Sequence, residues 1–169
     1  MPRSVTRCIL MSRWNERTSA VADLLNPALL AVVTAAAASE YERRDGGPMP
    51  FELAFLVAPL VLHRPTRSEL PNRYDSHLAR WVTTHEVLAA GFGDRARALV
   101  QPVREGIRFG LRTGTLELQG TALSGNLRSR RPAKIGDVAE VVAKAGFIGR
   151  WFTQLESSAT AYALLGVDA

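Results

Sequence analysis

The residue types able to carry catalysis or hold a metal are few and poorly spaced for it. The histidines are His63, His77 and His85. On one helix, the separation of His77 from His85 spans about 12 Å of rise, too far for both to ligate one zinc ion. His63 stands beside Arg64 and Arg67, whose charges repel a cation, so all three histidines read as capping or surface residues. The single cysteine, Cys8, excludes an internal disulfide and a thiolate cage, and suits a reducing, cytoplasmic setting. There is no Gly-rich phosphate loop, no H-x-x-x-H pair and no G-x-S-x-G elbow. Gly91 and Gly93 read as a helix stop and restart. No acid–base couple stands out among the carboxylates. The expectation is a non-enzymatic chain, with no catalytic residue, no cofactor and no metal.

The arginines are better organised. Arg97, Gln101, Arg104, Arg108 and Arg112 recur at helical spacing and form one stripe beside an apolar face. A second basic cluster, Arg128, Arg130, Arg131 and Lys134, follows in a Ser/Pro-containing linker. Both sets suit salt-sensitive, sequence-tolerant contact with DNA phosphates. The plainer alternative is a solvated helix face, compensated by Glu105, and a basic linker. A third feature is the stripe Phe147, Ile148, Trp151, Phe152 and Leu155, with Arg150 among them. Aromatic residues beside an arginine are typical interface anchors, so Phe147, Ile148, Arg150, Trp151 and Phe152 are candidate partner-binding residues. The competing assignment puts at least half of them in the chain's own core.

Elements that position these residues follow from caps and periodicity. Asn26-Pro27 opens a helix that runs to about Arg44 and stops at Gly46-Gly47. Pro48 and Pro50 frame a connector. Phe51 begins a very apolar second helix, kinked at Pro59. Residues 63–73 form a loop or single turn. Asp75 or Ser76 caps a short helix carrying Leu78 and Trp81, and Thr83 with Glu86 has capping-box spacing for another. Asp94 caps a longer helix to about Arg112, bent at Pro102. After Gly114 the period changes to that of a strand, and Leu116–Leu123 forms a hairpin turning at Gln119-Gly120. Val138, Val141 and Val142 begin a C-terminal amphipathic helix, and Ser157 or Ser158 restarts a last short one.

The fold class expected is mainly α: a winged helix-turn-helix-like core with one β-hairpin, flanked by N- and C-terminal helices. Residues 1–11 read as a disordered prefix, with Met11 an equally good start. Residues 12–47 read as a helical arm, 51–125 as the winged-helix-like core, and 132–169 as a helical extension for partner docking. The chain has 169 residues, 47% hydrophobic and 22% charged, a globular composition. Its longest apolar runs fall short of the ~20 residues of a membrane span. The formal charge is +5, carried almost wholly by Arg, since Lys134 and Lys144 are the only lysines. Arg forks onto phosphate and carboxylate alike.

Several segments in order resemble one family. WNERTSAVADLLNPALL at Trp14–Leu30, AFLVAPLVLHRPTRSELP at Ala54–Pro71, the Trp81 helix, GFIGRWF and the closing YALLGV are similar to the middle component of bacterial three-component ABC systems. The resemblance implies an accessory subunit of a large SMC- or Rad50-like ABC ATPase, working with an effector or sensor subunit, a nuclease among the options. Such complexes resemble Lamassu-type anti-phage and anti-plasmid defence. The resemblance implies that ATP and magnesium belong to the ATPase, with the accessory chain helping to hold the complex on DNA ends or to restrain the effector. The rival reading is a free-standing winged-helix transcriptional regulator, in which the Arg97–Arg112 stripe reads a groove.

Overall fold

A computed structural model describes residues 25–127 and 136–167. They fold as a mainly α protein with one small antiparallel sheet. Helix α1 (Pro27–Asp45) starts where Asn26 Oδ1 accepts from the Ala28 amide at 2.8 Å and Pro27 fills the first turn. It ends at Gly46, whose φ of 86° admits the left-handed cap and lets its amide donate to the Glu42 carbonyl. A short strand, β1 (Met49–Pro50), leads through a 3-10 turn (Phe51–Leu53) into α2 (Ala54–Leu62). Three short helices follow: α3 (Arg64–Ser68), α4 (Leu78–Thr84) and α5 (Glu86–Ala90). The long α6 (Phe92–Thr113) ends at Gly114, also left-handed, and feeds the hairpin β2 (Leu116–Gln119) and β3 (Ala122–Gly125). Helices α7 (Val138–Phe152) and α8 (Ser158–Leu164) complete the described chain.

The sheet order is β1-β3-β2, with Met49 opposite Leu123 and Leu118 also opposite Leu123 on the other side. The connector expected at Pro48–Pro50 is therefore an edge strand, a position that tolerates a proline because its outer side donates to no neighbour. The stretch 63–73, read as a loop or single turn, holds the short α3. Three further details differ from the sequence reading. Asp94 does not cap α6, which begins at Phe92 after Gly91. Asp75 pairs with Arg73 at 2.6 Å, and α4 begins after His77. Thr83 and Glu86 make no capping box, since the Thr83 hydroxyl donates back to the Ala79 carbonyl and α5 begins after His85.

One apolar core draws on Leu30, Leu60, Val103, Leu123, Ile148 and Leu165 together. Helix α1, expected as an arm outside residues 51–125, lies against α2, α6, α7 and β3. Its run Ala35–Ala38 is buried, and small residues on the neighbours match it. A Cβ on Gly149 of α7 would overlap the Ala37 carbonyl, and one on Gly125 would overlap that of Ala35. Backbone thus meets backbone at the centre of the molecule. Among the described residues, no helix is long and apolar enough to cross a membrane.

Candidate functional site

Helix α6 divides its two faces sharply. Ala96, Val103, Gly106, Ile107 and Gly110 are buried, while Arg97, Gln101, Arg104, Arg108 and Arg112 are exposed. Arg97 donates to Asp94 at 2.8 Å. None of the ion pairs among the described residues involves Arg104, Arg108 or Arg112. Three guanidinium groups therefore stand in solvent on successive turns. Beside them runs a groove of about 560 Å³, lined by Pro27, Glu105, Phe109 and Leu111 with Arg108 and Arg112. Arginine in this setting offers forked donors to phosphate or carboxylate and has no acceptor of its own. Arg128, Arg130, Arg131 and Lys134 lie outside the described residues.

The aromatic stripe of α7 has a different placement. Ile148, Trp151 and Phe152 are essentially fully buried. The Trp151 indole donates to the Ser76 carbonyl at 2.6 Å and meets Trp81 edge-on at 5.9 Å. Trp81 in turn donates to the Glu69 carbonyl at 2.7 Å. These side chains close the chain's own core and leave no surface for a partner. Phe147 is half-buried, with the Lys144 ammonium 5.9 Å over its ring. Arg150 donates to Glu40 of α1 at 2.8 Å. Both border the accessible side of α7, where Arg150 also lines a groove of about 540 Å³ between α1, the end of β3 and α7.

Two of the histidines support local structure. His63 caps α3, its Nδ1 facing the Thr66 hydroxyl at 2.7 Å and the Thr66 amide at 3.3 Å. Partial desolvation, and then the charge of Arg95, hold its pKa below the ordinary value. His85 stacks on Trp81 with ring centres 5.1 Å apart and lies 3.4 Å from Glu69. His77 precedes α4 without a side-chain cap bond. Among the described residues no group of His, Cys, Asp and Glu is arranged to hold a metal ion.

One residue escaped the sequence reading. Arg67 is almost wholly buried, donates to the Val61 carbonyl at 2.7 Å, and pairs with Asp137 at 3.1 Å and Glu140 at 3.3 Å. It ties the end of α2 to the start of α7. The His63-to-Thr66 cap spacing was available as a local signal for α3. Nothing local marks Arg67, because its carboxylate partners lie some 70 residues further on.

The comparison with known families decides what surrounds this architecture. Residues 14–169 match the family described as ABC-three component (ABC-3C) system Middle Component 3. The chain belongs to that family. No curated protein and no solved structure matches it. The middle component is thus an accessory member of a three-component ABC system, and its partners are the other components.

Proposed function

We propose that the middle component is a non-enzymatic adaptor that joins an SMC- or Rad50-like ABC ATPase to an effector subunit in a Lamassu-like defence against phages and plasmids. The observation that carries this reading is the arginine row of α6, unpaired at Arg104, Arg108 and Arg112, on a chain that belongs to an ABC-3C family. We read the order α1-β1-α2, α6 and then the β2–β3 hairpin, with its β1-β3-β2 sheet, as a winged helix. On that reading α6 is the helix that faces DNA, and its arginines hold the assembly on phosphates. The α1–α7 side, bordered by Phe147 and Arg150, is the docking face for the ATPase, with Ile148, Trp151 and Phe152 supporting it from beneath.

Tagged middle component, expressed with the other components of its system, tests this directly. The expected result is recovery of a large ATPase through a high-salt wash, with Phe147→Arg weakening recovery while the thermal midpoint stays near wild type. Recovery of no ATPase, together with tight binding of the isolated chain to one palindromic DNA site, contradicts the adaptor and favours a free-standing regulator.

A further inference from the structure

Resting on the reading that the α6 row faces DNA, we infer that duplex DNA is held by Arg104, Arg108 and Arg112 through its phosphates alone. Helix α6 lies along the sugar–phosphate backbone instead of entering a groove by its first turn, and the hairpin stays off the nucleic acid.

Three observations lead there. The first is the closed start of α6. A helix-turn-helix reads base edges with the N-terminal residues of its recognition helix. Here Phe92 is fully buried and Gly93 is covered, because the chain after α8 crosses this turn so closely that a Cβ on Gly93 would strike the Gly166 carbonyl. The most accessible side chain of the turn is Asp94, 88% exposed and paired with Arg97 at 2.8 Å, so a carboxylate already stands at the place where helix amides would attract a phosphate. The second is the hairpin's composition. The chain has no Lys or Arg between Arg112 and Arg128, and the exposed positions of β2 carry Glu117, Leu118 and Gln119. A hairpin without a cation gains no charge attraction to a phosphate or to the negative minor groove.

The third is the placement of charge along α6. Arg104, Arg108 and Arg112 lie one turn apart and span about 12 Å of helix rise. One strand of B-DNA carries a phosphate about every 3.4 Å of axis, and because the strand winds around that axis a row of this length meets roughly two or three phosphates along it. The row's charge therefore sits in the second half of the helix, away from the closed first turn. Contacts of this kind fix position without reading sequence. An acidic protein surface is the competing occupant.

Fluorescence anisotropy with the full-length chain tests the inference, using three labelled duplexes of unrelated sequence, each about 20 bp long, between about 50 and 200 mM salt. All three duplexes are expected to bind with equal affinity, within about threefold, at each salt. Arg104→Ser, Arg108→Ser and Arg112→Ser should each lower the slope of log K against log salt by about 0.9, equally for every duplex. Glu117→Gln and Leu118→Ser should leave affinity and slope unchanged. A preference above about tenfold for one duplex, or lost affinity in Leu118→Ser, would overturn the phosphate-only mode while leaving DNA binding in place. No binding of any duplex at the lowest salt would remove the DNA reading itself and assign the row to an acidic protein.

Discussion

At the scale of single residues, His63 caps α3, and Arg67 fastens α3 to the end of α2 and the start of α7. His63 Nδ1 serves as the acceptor for the Thr66 amide, so the cap requires the neutral ring. Because the folded-state pKa of His63 lies below its ordinary value, the unfolded chain takes up this proton first as pH falls. Its contribution is fully present above the unfolded pKa of about 6.5 and declines as pH drops through the window below it. His63→Asn keeps a side-chain acceptor and removes the proton. The thermal midpoint of wild type is expected to fall more than that of His63→Asn between pH 7.5 and 5.0, and equal losses would contradict the assignment. For Arg67, Met retains the stem and loses every donor. The Val61 carbonyl is then left unsatisfied, at a cost of about 1–3 kcal/mol, measurable by urea unfolding. Asp137 and Glu140 are half or more exposed and Glu140 still faces Arg67 when Asp137 is changed, so Asp137→Asn should cost less than Arg67→Met.

At the scale of elements, backbone contact between α1 and α7 sets the distance between them. Gly149→Ala forces a Cβ into the Ala37 carbonyl, and a backbone atom cannot swing aside as a flexible side chain does. We expect a loss of about 1–3 kcal/mol by thermal or denaturant unfolding. Trp151→Ala removes the largest fully buried side chain among the described residues and the bond to Ser76, and should cost about 3–5 kcal/mol. A loss of partner binding in that variant therefore reports on folding, whereas Phe147 and Arg150 report on docking.

The same elements show what sequence makes legible. Helix α1 could be read from Asn26-Pro27 and Gly46-Gly47 because caps and stops are local. The two faces of α6 were visible because its Arg and apolar positions segregate at helical spacing. The mainly α class followed from such signals. Strand β1 was hidden because two residues, one a proline, become a strand only through Leu123 and Ala122. Which side of the α7 stripe turns inward was hidden for the same reason, since the partners of Trp151 are Ser76 and Trp81.

At the scale of the whole molecule, one core holds residues from Leu30 to Leu165, so the described residues form one packed body with two separate faces. The α6 row lies on one and the α1–α7 groove on another. A body with two faces of this kind suits the bridging we propose. The family match fixes its place as the middle component of an ABC-3C system. What is proposed for it is the joining of the other two components. The most direct measurement places the tag on the effector and quantifies the ATPase it recovers, with and without the middle component. Recovery that depends on the middle component, and that returns when it is added back, is the predicted result. Equal recovery of the ATPase in its absence would contradict the adaptor role.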